Sequence, residues 1–251
     1  MNPLYIYPTR INYYDLDFRG KVRLSALLRM VHIAADVNAR EHGAGYDALA
    51  PLGMTFVLQR FGVSILRMPS YNEEIVIRTW PSGTEKGTFL RRGDMYDAKG
   101  EKIMEWASLW LLFDINERRP LKPTELPVEL VCLGDEGVQV KPEKVSLPTD
   151  WGKPFHSYNH TVSYRDVDTN MHMNNSIYGD LIGDAIFPIS AFASEKSSEK
   201  SIELRRIQIN YLAEMRLGAE VSITTHNDGN KFIVSGESSG RRSFIARVDT
   251  V

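Results

Sequence analysis

The 251-residue sequence predicts an α+β chain made of two copies of one unit, each a long helix held against a strongly curved antiparallel sheet. Three observations predict it. Residues 56–80 align without a gap on residues 202–226, with six of twenty-five positions identical: Leu58/Leu204, Arg60/Arg206, Leu66/Leu212, Glu74/Glu220, Ile77/Ile223 and Thr79/Thr225. Upstream, Tyr13-Tyr14-Asp15-Leu16-Asp17 matches Tyr164-Arg165-Asp166-Val167-Asp168. Both copies also read in the same order: strand, helix, four strands.

In the first copy, residues 4–14 alternate and are rich in Tyr and Ile, the pattern of a strand. Leu24, Leu27, Leu28, Val31 and Ala35 then recur at helical spacing and give one apolar stripe. Gly43 and Gly45 are expected to stop this helix, because glycine accepts the left-handed conformation of helix ends. Strands are expected near 54–67, 73–80, 87–97 and 102–114, with a hairpin turn at Asp97-Ala98-Lys99-Gly100. Met104 to Phe113 is nearly continuously apolar, as expected of a strand covered on both faces.

Residues 116–155 carry Pro120, Pro123, Pro127, Pro142, Pro148 and Pro154 with Gly134 and Gly137, which reads as an irregular crossing segment. The second copy opens with a strand near 157–166 and a turn over 167–175. A helix over 175–187 follows, with Asn174, Asn175 or Ser176 as its cap and Pro188 as its stop. Residues 194–200 read as a polar loop. The last strands are expected near 202–213, 218–226, 231–236 and 242–249. Such a unit closes a core only when the sheet wraps its apolar face around the helix. That is the hotdog arrangement, here in tandem. The expected divisions are 1–130, a linker over 131–155, and 156–251.

Composition bounds the function. The apolar fraction is 43% and the charged fraction 25%, as in ordinary globular chains. The net charge of −2 gives no general pull toward nucleic acid. Cys132 is the single cysteine, so no intrachain disulfide or cysteine metal cluster is available. The first residues lack a basic start and apolar core, and no run of about eighteen apolar residues is present. The expectation is a cytoplasmic protein without a membrane span, bound metal or cofactor.

The two copies differ where chemistry would sit. The second carries Asn170, His172 and Glu214 where the first has Arg19, Lys21 and Met68. Asn170 and His172 are two apart, so in an extended stretch they face the same way, and Asp168 joins them. Histidine exchanges protons near neutral pH. Free N–H groups at the following helix start suit an oxyanion. Each residue also has a plain structural reading: His172 as a turn hydrogen-bonder, Asp168 as a turn former, Asn174 and Asn175 as caps, Glu214 as a strand-end acid. Asp17 matches Asp168 in the other copy and favours the plain reading there. The first copy holds the same pattern with different residues, so folding does not demand Asn, His and Glu together.

Strand, Asp-x-Asn-x-His-x-Asn-Asn, helix, then a strand ending in Tyr211-x-x-Glu214 resembles the acyl-acyl-carrier-protein thioesterases of plants and bacteria. The resemblance runs over essentially the whole chain, including Leu90-Arg91-Arg92-Gly93-Asp94, Ala107-Ser108-Leu109-Trp110 and Arg118-Arg119-Pro120-Leu121. It implies hydrolysis of fatty acyl-carrier-protein thioesters in fatty acid biosynthesis. The expected roles are Glu214 and His172 on the attacking water, Asn170 on water or carbonyl, and Asp168 orienting the loop. Asn174 and Asn175 are expected at the substrate. Plant members commonly carry a cysteine directly after the glutamate, whereas this chain has Met215, which favours water over a thiol as nucleophile.

The resemblance further implies that the first half holds the acyl chain, with Leu27, Met30, Val31, Ala34, Met54, Phe56 and Leu58 as lining. Acyl carrier protein is acidic, and Lys86, Arg91, Arg92 and Arg206 are the expected docking residues. A homodimer is a further expectation. An acyl-CoA thioesterase, a dehydratase or an acyl-sensing module on the same fold are the competing readings.

Overall fold

The computed structural model describes residues 2–187 and 202–251. The chain divides into two compact units, Met1–Val22 with Arg29–Glu143, and Arg23–Leu28 with Lys144–Val251.

The first unit contains strand β1 (Tyr5–Arg10), most of helix α1 (Leu24–Glu41) and a short helix α2 (Tyr46–Leu49). Strands β2 (Met54–Ile65), β3 (Glu74–Glu85), β4 (Thr88–Asp97), β5 (Lys102–Asp114) and β6 (Arg119–Leu121) follow. Its sheet runs β1-β3-β4-β5-β2, every neighbour antiparallel, with β6 on β5. Gly43 ends α1 as expected: it sits at φ 67, and Gly43 N–H and Ala44 N–H bond back to Arg40 O and Ala39 O. Gly45 instead precedes α2 as its N-cap, an element the sequence reading did not contain.

Met30, Val31, Ala34 and Leu58 are buried in this unit, while Met54 and Phe56 pack on Leu49, Leu112 and Leu121. Each fully buried aliphatic side chain contributes roughly 1.5–3 kcal/mol. β5 is almost wholly covered from Ile103 to Leu112, in keeping with its apolar run. The segment after β5 is less irregular than its prolines suggest. β6 and a single turn of 3-10 helix over Pro123–Glu125 interrupt it, because Leu121 and Leu126 complete the apolar cluster around Leu112.

The second unit contains β7 (His156–Thr161), α3 (Tyr178–Ile186), β8 (Leu204–Tyr211), β9 (Glu220–Asp228), β10 (Lys231–Ser238) and β11 (Arg241–Thr250). Its sheet runs β8-β11-β10-β9-β7, again antiparallel throughout. Position by position this is the order of the first unit, with β7 to β11 in the places of β1 to β5. Leu181, Ile182, Ala185 and Ile186 of α3 are buried, and Tyr158 Oη donates to Leu181 O at 2.9 Å. The expected helix 175–187 is realised as nine residues, starting three later than expected because Asn174 to Ile177 form a turn. The expected stop at Pro188 and the polar loop at 194–200 lie outside the described residues. Among the described residues no helix is long and apolar enough to cross a membrane.

The identity of the two units reaches single hydrogen bonds. β1 and β7 are both six residues long and alternate alike. Each is followed by a three-residue 3-10 turn, Tyr13–Asp15 and Tyr164–Asp166, closed by its own carboxylate. Bridges Leu16↔Val22 and Val167↔Met173 then close the same loop in both.

Candidate active site

The site is built from two segments of the second unit. The first is the loop between the 3-10 turn and α3, residues 167–177. The second is the turn from β8 to β9, residues 212–219. Met173 N–H to Met215 O (2.7 Å) joins them, and Val162, just after β7, anchors the second through Val162 N–H to Ala219 O (2.9 Å) and Gly218 N–H to Val162 O (2.8 Å). A bridge between His172 and Arg216 completes the seam.

Across this seam His172 Nε2 lies 3.1 Å from Glu214 Oε2. The histidine side chain is 30% exposed and the carboxylate 37%, so water reaches both. Arg216 Nη2 sits 3.3 Å from the same oxygen. A carboxylate held by an imidazole and open to solvent is able to take a proton from water, the requirement for a general base. The ring can hold the carboxylate in place or carry the proton onward.

Behind the pair lies an aromatic wall. The buried Tyr178 ring meets Tyr211 at 4.8 Å and Phe244 at 5.2 Å between centroids, both edge-on. Tyr211 Oη donates to Asn175 O at 3.3 Å. Burial, then the nearby charges of Glu214 and Asp168, raise the Tyr178 hydroxyl pKa above the ordinary phenol value, so it stays protonated. Burial likewise raises Tyr211. At the base of the loop, burial pushes the Asp166 carboxyl up. Hydrogen bonds from Ser163 N–H, Ser163 Oγ and the His160 ring outweigh it and hold the group below its ordinary value.

Each expected residue now has a place. His172 and Glu214 are in contact. Asp168 shapes the loop: its Oδ1 accepts Asn170 N–H (2.9 Å), its N–H donates to His172 O (3.0 Å), and Asn174 Nδ2 approaches Oδ2 (3.4 Å). Asp17 does the same in the first unit, accepting Arg19 N–H (2.8 Å) and donating to Lys21 O (2.8 Å). Asn170 is exposed at the loop surface. Asn174 is a turn former, since its Oδ1 accepts Ser176 N–H (2.9 Å) and Ser176 Oγ–H (2.7 Å). The donors expected at the helix start are largely engaged: Ser176 by Asn174 Oδ1, Ile177 by Asn174 O and Gly179 by Ser176 O. Asn175 and Tyr178 carry the N–H groups that these bonds leave.

The basic residues expected at a docking face separate. Lys86 is exposed in the turn between β3 and β4, at φ 47. Arg91 is turned inward: its Nη1 donates to Asn38 Oδ1 (2.9 Å) and Thr79 Oγ1 (3.2 Å), and burial lowers its pKa to about 10. Arg92 holds the chain after β6 by donating to Val138 O (2.8 Å) and Val140 O (3.1 Å). Arg206 lies partly covered in β8, with its Nε buried. The hydrogen bonds of Arg91 and Arg92 run into the first unit because α1 and the segment after β6 lie against the strand positions that carry them.

Sequence reasoning missed Arg216 and Tyr178. Arg216 had a signal: its counterpart in the gapless alignment is Ser70, so it belongs with the residues found in one copy alone. Tyr178 had none, because an aromatic in a helix stripe reads as core.

Comparison with known proteins places the chain in a family. The family model described as the Acyl-ACP thioesterase N-terminal domain matches residues 5–129, and the one described as its C-terminal domain matches residues 153–241. The chain therefore belongs to the acyl-ACP thioesterase family. A curated relative, the chloroplastic dodecanoyl-[acyl-carrier-protein] hydrolase of Cinnamomum camphora, is 29% identical over 160 residues. That match takes in 61% of this chain and 41% of the relative, less than half its length. An acyl-ACP thioesterase from Bacteroides thetaiotaomicron superposes with a TM-score of 0.85 at 24% identity, covering 100% of this chain and 98% of the other. The 12:0-ACP thioesterase of Umbellularia californica gives 0.82 at 18%, with the same coverage. These structures share the tandem hotdog fold.

Proposed function

We propose that the protein hydrolyses fatty acyl-acyl carrier protein to a free fatty acid and the carrier-protein thiol. The observation that carries the reading is the His172–Glu214 contact at 3.1 Å, in the one unit of two that has these residues. Membership of the acyl-ACP thioesterase family supports it. Water attacks the thioester carbonyl carbon while Glu214 takes its proton. The Asn175 N–H, the donor at the loop surface left by the capping bonds, faces the oxyanion. The tetrahedral intermediate expels the thiolate, which receives the proton through Glu214 and His172. Asn170 orients the water or the carbonyl, and Asp168 positions both Asn170 and His172. The buried Met215 is no nucleophile, and Cys132 belongs to the other unit.

Selection of the acyl chain is assigned to the residues the resemblance implies as lining, Leu27, Met30, Val31, Ala34, Met54, Phe56 and Leu58. Lys86 remains in this reading as a contact for the acidic carrier, and reaction in the cytoplasm by paired chains completes it. The test is thiol release from matched acyl-carrier-protein and acyl-CoA substrates across chain lengths, with Glu214→Ala as control. Hydrolysis of the carrier-protein series, lost in the variant, supports the assignment. Preference for acyl-CoA reassigns the substrate, and failure of correctly folded protein on both series overturns the reading.

A further inference from the structure

Six residues other than glycine occupy the left-handed region among those described: Asn72, Lys86, Arg118, Glu136, Met171 and Ser239. Five are polar. Met171 is the apolar one, at φ 63, between Asn170 and His172. A side chain is disfavoured there by contact of Cβ with the backbone, and glycine is the ordinary solution. The other unit uses that solution. Gly20 holds the matching position at φ 72, and Gly20 N–H to Asp17 O (3.0 Å) repeats Met171 N–H to Asp168 O (2.9 Å). The loop thus closes with the same bonds whether or not a side chain is present. Nothing in its folding calls for methionine.

The side chain is not held by the protein interior either, for Met171 is 61% exposed. The His172↔Arg216 bridge sets Met171 opposite Leu217, itself 50% exposed. Two exposed apolar residues therefore flank the isolated bridge that joins the His172 loop to the β8–β9 turn. Their counterparts in the first unit are Gly20 and Tyr71. A flexible thioether on a disfavoured backbone, beside an open catalytic pair, is suited to an apolar ligand that arrives and leaves.

We propose that Met171 is a substrate-binding residue, one that touches the substrate beside the thioester. With Leu217 it forms an apolar lip against which the carbons flanking the thioester pack. This rests on the thioesterase reading of the His172–Glu214 site. The contact lies beside the carbonyl, so it is common to substrates of every chain length.

The experiment compares Met171→Gly, Met171→Asn and Met171→Leu with wild type, measuring kcat, KM and melting temperature on a medium-chain and a long-chain acyl-carrier-protein. Met171→Gly melts within about 2 °C of wild type, since relief of the disfavoured backbone offsets the freedom glycine gains when unfolded. It loses about tenfold in kcat/KM, mostly through KM, the loss expected for one small apolar contact. The loss is equal for both chain lengths. Met171→Leu restores most of it and Met171→Asn, which accepts the same backbone, does not. The proposal is overturned if Met171→Gly stays within twofold of wild type. It is also overturned if asparagine restores full activity, which makes loop rigidity the cause, or if the loss grows with chain length. Wild type that hydrolyses no thioester removes the thioesterase reading itself, whereas active wild type with an unaffected glycine variant removes the lip alone.

Discussion

Glu214→Gln separates the chemistry of the site from its stability. The substitution keeps size and shape and removes the charge that accepts a proton. Its structural cost is small. The carboxylate is 37% exposed and its partners, His172 at 3.1 Å and Arg216 at 3.3 Å, are solvent-accessible, the class of ion pair that contributes about 0–1 kcal/mol. The melting temperature should fall by less than about 4 °C. Loss of a general base costs about 10²–10⁴-fold in turnover, which is roughly 3–5.5 kcal/mol of barrier. The kinetic loss should therefore exceed the stability loss several times over. His172→Ala should lower turnover at least about a hundredfold. The double variant should be little worse than the poorer single one, because the two groups act as a unit. Cys132 is free and exposed, open to thiol reagents, so release is followed in a Cys132→Ser background or by fatty acid titration. A folded Glu214→Gln enzyme with turnover within tenfold of wild type refutes the general-base assignment.

The remaining predictions probe the loop, the nucleophile and the core. Asp17→Asn and Asp168→Asn each weaken a charged acceptor for loop N–H groups. Both should lower the melting temperature, but Asp168→Asn alone should lower kcat, by about ten- to a hundredfold, as thermal scans and kinetics on the pair will establish. Alkylation with iodoacetamide should leave turnover unchanged, because Cys132 is the only thiol; inhibition would return a cysteine to the mechanism. His32 lies edge-on to Phe61 and Trp110 with its Nε2 buried and unpartnered, and burial lowers its pKa to about 4. The unfolded chain binds this proton first as pH falls. The stability that neutral His32 provides is thus complete above about pH 6.5 and lost toward pH 4, by up to about 3 kcal/mol. Urea midpoints of His32→Leu should be flatter than wild type across that window.

Much of this fold was legible because the chain is written twice. Strand order, the αL stop at Gly43 and the covered strand β5 follow from alternation, glycine and unbroken apolarity, all local signals. What escaped was set by distant partners. β6 forms because Leu121 finds Leu112, and α2 because Gly45 opens a turn beneath that same cluster. Arg91 and Arg92 read as a cationic face in a strand. Their environment is decided by Asn38 and by the carbonyls of Val138 and Val140, residues at least 46 positions away. The pairing of His172 with Glu214, 42 residues apart, was readable from the difference between copies and from the family resemblance, not from any local pattern.

The duplicate also sorts the site residues by what demands them. Asp168 sits in the motif with Asn170 and His172, yet Asp17 makes the corresponding bonds where no such chemistry is present. The carboxylate is therefore a requirement of the loop, and in the proposed reaction its part is to place its neighbours. His172 and Glu214 have no such excuse: Lys21 and Met68 stand in their places and the same strand order and loop closure result. The same comparison moves Asn174 toward structure, through its grip on Ser176, and moves Arg216 and Met171 toward function, opposite Ser70 and Gly20. Within the paired loops, a residue is bound to function to the extent that its twin solves the same backbone problem without it.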